Sequence, residues 1–260
     1  MLQPINPDDP TALYSSMEMP CGAKCESGWY ELKAKGKLPN KRSYHSAVVY
    51  DGKLYIYGGE DIKEGRSDDL WSLDLDAFIE FEDKEVEESS LDEISEKFTW
   101  QRVKTHGDSP GPLAHHKACV HNQCMYMFGG INDHDENVQH FYSLDMNSFK
   151  WSKFEAEGQP QPRDDHSVSL DGDDLYLFGG FVEGVRCNDL YKLNFTSNTW
   201  TCLSENVIAD DIENSKMPCP RSGQAIGAQN GKVYVFGGRN DYNEMLDDTW
   251  EFDSATKKWT

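Results

Sequence analysis

The sequence predicts an all-β chain assembled from one four-stranded antiparallel unit repeated four times. Three observations predict it. An apolar strand ending in Gly-Gly occurs four times, as Leu54–Gly59, Met125–Gly130, Leu175–Gly180 and Val233–Gly238. A tryptophan follows each pair at a near-constant offset, wherever no insertion intervenes, giving Trp100, Trp151, Trp200 and Trp259, with Trp29 ahead of the first pair. Turn-forming residues separate the segments between them. A long internal repeat means stacked structural units whose repeated residues serve packing, so function is sought in the loops.

In the first unit, Ser46–Tyr50 and Leu54–Gly59 flank Asp51-Gly52, a dipeptide suited to a two-residue hairpin. A third strand follows within Asp69–Asp76, and a fourth begins at Trp100. The later third strands are Phe141–Asp145, Asp189–Phe195 and Asp248–Asp253, and the later fourth strands begin at Trp151, Trp200 and Trp259. The first two strands of each unit are continuous apolar runs, which suits sheets covered on both faces. The pairs Gly58-Gly59, Gly129-Gly130, Gly179-Gly180 and Gly237-Gly238 permit torsions or close approaches that a Cβ would forbid. Uneven spacing between the pairs places one insertion at 77–98 and a smaller one within Leu203–Pro220.

These residues resemble the kelch motif. Its Gly-Gly, its third-strand Tyr or Trp and its fourth-strand Trp recur at matching offsets. Its Arg-x-x-His-Ser opening appears as Arg42–Ser46 and, with Asp164 and Asp165 between, as Arg163–Ser167. Leu113 replaces the Arg in unit two, and Gln224 replaces the His in unit four. The resemblance covers about residues 28–260. It implies a kelch-type β-propeller of four-stranded antiparallel blades around a central channel, with repeats at 42–102, 113–153, 163–202 and 221–260 after a polar N-terminal tail, 1–27. Trp29–Leu32 reads as a fourth strand with no unit before it, so the strand 28–33 is expected to close the last blade. Kelch propellers more often carry five to seven blades, so the expectation is a partial sequence and an incomplete ring.

A chain of 260 residues suits one such domain. Its formal charge of −21 opposes nucleic-acid binding and attraction to an anionic membrane, and favours a basic or neutral protein partner. No leader or membrane span is legible. Seven scattered cysteines suit reduced thiols in the cytoplasm. From Asp74 to Lys97 eleven residues are acidic and two basic, which reads as a solvated loop.

His45, His116 and His166 start successive inner strands, but Gln224 breaks the series, so they read as structural rather than as metal ligands. Cys119, His121 and Cys124 share one face of a hairpin without a visible fourth ligand for zinc. No phosphate-cradling loop occurs, and Glu64, Asp68 and Ser72 depart from the iron-ligand pattern of specifier propellers. No catalytic residue, cofactor or metal is therefore assigned.

By resemblance, the face bearing the second-to-third-strand loops and the blade-to-blade links holds a protein or peptide partner. The expected contacts are Arg66, Arg186, Arg239, Asn240 and Tyr242 from the loops, with Tyr44, His115 and Asp165 at the mouth of the inner strands. The expected function is a non-catalytic scaffold or adaptor engaging cytoskeletal, trafficking or ubiquitin-ligase components. The alternatives are a ubiquitin-ligase substrate receptor with its recruiting domain missing, or a metal-dependent enzyme using the channel.

Overall fold

A computed structural model describes residues 34, 36–75, 98–207 and 216–260, and every regular element within them is a strand. Trp29, the strand 28–33, the N-terminal tail and nearly all of the acidic insertion lie outside the described residues. Four antiparallel sheets form the blades of a propeller. Blade one holds Ser46–Tyr50, Lys53–Tyr57, Leu70–Asp74 and Trp100–Val103. Blade two holds Lys117–His121, Cys124–Phe128, Phe141–Asp145 and Lys150–Phe154. Blade three holds Ser167–Asp171, Asp174–Val182, Val185–Asn194 and Thr199–Ser204. Blade four holds Ala225–Gln229, Lys232–Arg239, Met245–Asp253 and Lys258–Trp259.

Within each blade the strands pair in chain order, joined first by a tight hairpin. At Asp51-Gly52 both residues have positive φ, 47° and 69°, the mirror-image turn that matches strand twist. Blade two departs from the four-stranded expectation: His106–Gly107 adds a fifth strand, parallel to Lys150 and Trp151. The link from blade one thus docks on the next blade's outer edge before crossing to its inner strand.

Alternation along the second strand decides which blade each side chain meets. Tyr55 and Tyr57 face blade two, where Met125, Met127, Leu144 and Trp151 close the first interface. Phe128 and Phe141 meet Leu175, Leu177, Leu193 and Trp200 in the second. Tyr176, Phe178 and Leu190 meet Val233, Val235 and Phe252 in the third. One contact recurs: the aromatic before each Gly pair takes the next blade's Trp edge-on. Tyr57–Trp151, Phe128–Trp200 and Phe178–Trp259 lie 5.1, 5.8 and 5.5 Å apart between centroids.

The series stops at blade four. Phe236 stands where Tyr57, Phe128 and Phe178 are fully buried, yet it is 53% exposed. The strand Lys232–Arg239 accordingly alternates buried and exposed residues, as a sheet covered on one face does. At the other end His45 is exposed, whereas His116 and His166, which have a preceding blade over them, are buried. Four blades therefore share three interfaces among the described residues.

In blades one, three and four the Arg of the opening motif holds the third strand. Arg163 Nη1 donates to Asp189 at 2.7 Å and to the Gly179 carbonyl at 3.2 Å. Arg42 with Asp69 and Gly58, and Arg221 with Asp248 and Gly237, repeat it. Blade two lacks both partners at once. Leu113 replaces the Arg, His140 stands at the acid's position, and Leu113 is buried as a packing residue.

The first glycine of the first three pairs is where the next blade's opening touches. A Cβ on Gly129 would collide with the Arg163 carbonyl and with the His166 ring, the latter at 2.8 Å. Gly237 has a similar φ, 63° against 58°, but its nearest obstacle is the Leu246 carbonyl at 3.0 Å, within its own blade. Both positions carry the same backbone penalty for alanine. Gly129→Ala should therefore destabilise by about 2 kcal/mol more than Gly237→Ala in urea denaturation. Equal losses would contradict the inter-blade role.

The buried histidines follow the same logic. His116 Nε2 is 2.8 Å from the Ser46 hydroxyl in blade one, and Gln224 donates to the Phe178 carbonyl of blade three at 2.8 Å. Gln224 therefore bonds to the preceding blade's backbone, His116 meets the Ser46 side chain and the Tyr57 backbone, and neither ring nitrogen of His166 has a hydrogen-bond partner. Burial, with Lys117 adding to it, pushes His116 down to about 3, and it holds His166 well below the ordinary range. Both rings are neutral at physiological pH.

Candidate functional site

The links entering the inner strands converge on one mouth of the channel. Tyr44, His115, Asp165 and Gly223 take equivalent positions with φ of 55°, 60°, 50° and 67°. Three of the four are not glycine, an unusual density of left-handed residues. Hydrogen bonds hold them there. His115 N donates to Tyr44 O at 3.0 Å, Asp165 N to His115 O at 3.2 Å, and Gly223 N to Asp165 O at 3.1 Å. The backbone thus runs as a hydrogen-bonded chain from blade to blade around the mouth.

Side chains build on that chain. Tyr44 stacks on His115 with centroids 3.7 Å apart and is itself 52% exposed. His115 Nδ1 lies 2.8 Å from Asp165 Oδ1, and Nε2 lies 3.4 Å from Glu60 Oε1. Burial alone would lower its pKa, but bonds to Asp165 and Glu60 raise it above the ordinary imidazole range. A raised folded pKa gives stability that is complete below the unfolded value near 6.5 and lost as pH rises through the folded one. The stability difference between wild type and His115→Gln should shrink from pH 6 to pH 9 in urea titrations. A pH-independent difference would contradict the ion pairing. The neutral burial of His116 and His166 acts in the opposite sense, costing stability below pH 6.5, and cancels in that comparison.

In blades one to three the loop after the Gly pair reaches to the next blade from one repeated position. Arg66 donates to the Asn132 carbonyl and to Asp135 at 2.8 Å, and lies 3.3 Å from Glu60. Asn137 donates to Asp164 at 2.6 Å. Arg186 reaches Ser222 Oγ at 3.1 Å, Asn243 at 3.3 Å and Asp241 at 3.6 Å, with its guanidinium over Phe181. In blade four the position is Met245, 74% exposed. Arg66 and Arg186 therefore serve as clasps between neighbouring loops and present little free charge.

The blade-four loop is arranged differently. Asn240 Oδ1 accepts from the Tyr242 and Glu244 amides, and its Nδ2 donates to Glu244. This fixes the turn and projects Tyr242, 75% exposed. Arg239 exchanges backbone bonds with Ser222 and leaves its side chain exposed. The eight residues singled out from sequence thus fall into three groups: the stacked mouth trio, the projecting Arg239–Tyr242 loop, and the two clasped arginines.

A groove of about 770 Å³ joins the mouth to the uncovered flank of blade four. Tyr44, Lys117, Phe181, Phe236, Arg239 and Met245 line it, with Asp165 and Arg186 alongside. Lys117, Phe236 and Met245 were not foreseen from sequence. Phe236 and Met245 repeat positions that are buried or clasped elsewhere, so the repeat itself predicts that they are covered. Lys117 carries no motif.

Among the described residues, two arrangements could hold a metal ion on ligand type alone. His115, Asp164 and Asp165 offer one ligand atom each within 4.8 Å of one another, although His115 already bonds to Asp165 and Glu60. In the blade-two hairpin, Cys124 opposes His121 and Cys119 opposes Tyr126. Burial pushes the Cys119 thiol up to about 12, which disfavours the thiolate a metal needs, and His121 stacks on Phe195.

Comparison with known proteins places the chain among propellers of this type. The KLHDC2/KLHL20/DRC7 Kelch-repeats domain profile matches residues 90–260, and the Kelch motif profile matches 41–77. Kelch domain-containing protein 3 of Rattus norvegicus is 24% identical over 85% of this chain and 54% of its own length. Leucine-zipper-like transcriptional regulator 1 homolog of Drosophila melanogaster is 28% identical over 86% of this chain and 21% of its own. Human host cell factor 2 is 28% identical over 88% and 31%. The chain spans about half or less of these relatives.

Proposed function

Because this chain belongs to the kelch-repeat family, we propose that it is a non-catalytic protein-interaction module, a scaffold or adaptor that takes a protein or peptide partner on the channel-mouth face. Kelch propellers generally bind proteins, and the observation that carries the assignment here is the channel mouth, where Tyr44 stacks on His115, His115 bonds to Asp165, and Arg239 and Tyr242 project beside them. It combines exposed aromatic side chains with charge on a hydrogen-bonded backbone frame, the composition that marks contact surfaces. The scattered cysteines support a reducing, cytoplasmic setting.

A photo-crosslinking residue placed at Tyr242 or Arg239, compared with one at Asn122 on the hairpin-turn end, tests the face. Partner adducts in cell extract are expected from the first two positions. Adducts from Asn122 alone would refute the assignment.

A further inference from the structure

We propose that Ser109 is a phosphoacceptor for proline-directed protein kinases, with Arg102 and Lys104 placed to pair with the phosphate it gains. Ser109-Pro110 is the only Ser-Pro or Thr-Pro step in the 260 residues. The proline itself belongs to the repeat. Pro39, Pro110, Pro160 and Pro218 each stand three residues before the opening-motif position, at Arg42, Leu113, Arg163 and Arg221. The residue ahead of it varies, being Leu38, Gln159 and Met217 in the other links. The repeat therefore accounts for Pro110 and does not account for the hydroxyl of Ser109.

The link from blade one to blade two presents that hydroxyl. Ser109 is exposed, as are Lys104 and the run from His106 to Asp108. The Asp108 amide donates to Trp151 O at 3.1 Å and the Leu113 amide to Ser67 O at 3.2 Å. Between them the two available amides bond only within the link, Ser109 N to Gly107 O at 3.0 Å and Gly111 N to Ser109 Oγ at 3.2 Å. No atom of another segment lies within 4 Å of where a Cβ would stand on Gly111. A segment so lightly tied opens locally at low cost, and the residue before a proline already favours the extended form that a kinase cleft takes. Pro110 sets the kinase class. It offers no N–H, so a cleft that hydrogen-bonds the amide after the acceptor rejects it, and one that leaves that position apolar admits it.

In the transfer, Ser109 Oγ attacks the γ-phosphorus of a nucleoside triphosphate. The Oγ–P bond forms as the bond to the β-phosphate oxygen breaks, the nucleoside diphosphate leaves, and the hydroxyl proton passes to a carboxylate of the kinase. The product carries about −1.5 to −2 charges at Ser109. Ser109 shares a depression of about 420 Å³ with Arg102 and Lys104. Of the two acids lining it, Asp69 is already bonded to Arg42 at 2.6 Å, which leaves Asp68 against two cations. These exposures recur in blades with a neighbour on each side. Lys153 and Cys202, paired to their third strands as Arg102 is, are exposed, and so is Gln159 at the position of Ser109.

The test incubates the full chain with a cyclin-dependent kinase and, separately, a mitogen-activated protein kinase, each with magnesium ATP. Intact mass and peptide mapping give the readout. One phosphate on Ser109 is expected, with none in Ser109→Ala and phosphate again in Ser109→Thr. Pro110→Ala should slow the transfer about tenfold or more. Phosphorylation should raise the melting temperature by about 2–4 °C, and Arg102→Gln/Lys104→Gln should remove that gain. A gain untouched by the double variant would overturn the role of the two cations. A synthetic peptide of residues 103–115 separates accessibility from recognition. If the peptide is phosphorylated and the folded chain is not, the fold hides the hydroxyl and the proposal fails. Phosphate only at other residues, or on neither substrate, would overturn it as well.

Discussion

Trp151→Ala is expected to destabilise the chain by about 3–5 kcal/mol, a large fraction of the stability of a single domain. The indole is fully buried and packs edge-on against Tyr57 across the interface of blades one and two. Its loss removes the ring from an apolar cluster and leaves a cavity between two sheets that cannot collapse independently. Its Nε1 has no hydrogen-bond partner, so packing rather than hydrogen bonding accounts for the loss. The cost should fall along the series. Trp259 occupies the same role against Phe178 but is only partly buried, and its removal should cost clearly less. Phe236→Ala, on the uncovered flank, should change stability by less than about 1 kcal/mol. Urea denaturation of the three variants gives the ranking, and a Phe236→Ala effect equal to that of Trp151→Ala would require a cover over blade four.

The second large effect concerns Arg163. Its side chain is 2% exposed and that of Asp189 9%, and they pair at 2.7 and 3.0 Å. Removing one partner leaves the other charge buried and uncompensated, so Arg163→Leu should cost about 3–5 kcal/mol. The pair need not be worth that much in itself. Blade two folds with Leu113 and His140 at the two positions. Transplanting both residues, as Arg163→Leu with Asp189→His, should recover most of the loss. A double variant as unstable as the single would show that the pair itself, rather than the orphaned charge, carries the energy.

The architecture was legible because it depends on local, repeated chemistry. Gly-Gly needs a tight approach, Asp51-Gly52 needs a mirror-image turn, and a landmark Trp every blade needs an aromatic to meet. Each could be read from residue type and spacing alone. Which loops share an end was legible too, because antiparallel strand order fixes it. What could not be read was which side chains on that face remain free. Arg66 and Arg186 looked like available cations, but partners at Asp135 and Asp241 lie on neighbouring loops far along the chain. Phe236 looked like its buried counterparts, since its exposure depends on what packs beside blade four rather than on its own segment.

The central claim is that partners bind at the channel mouth. Amide hydrogen exchange of the chain, free and saturated with a display-selected peptide, tests it most directly. Protection should appear around Tyr44, His115, Asp165 and the segment from Arg239 to Tyr242. Protection confined to the hairpin turns at Asp51-Gly52, Asn122-Gln123 and Asn230-Gly231, with the mouth unchanged, would contradict it.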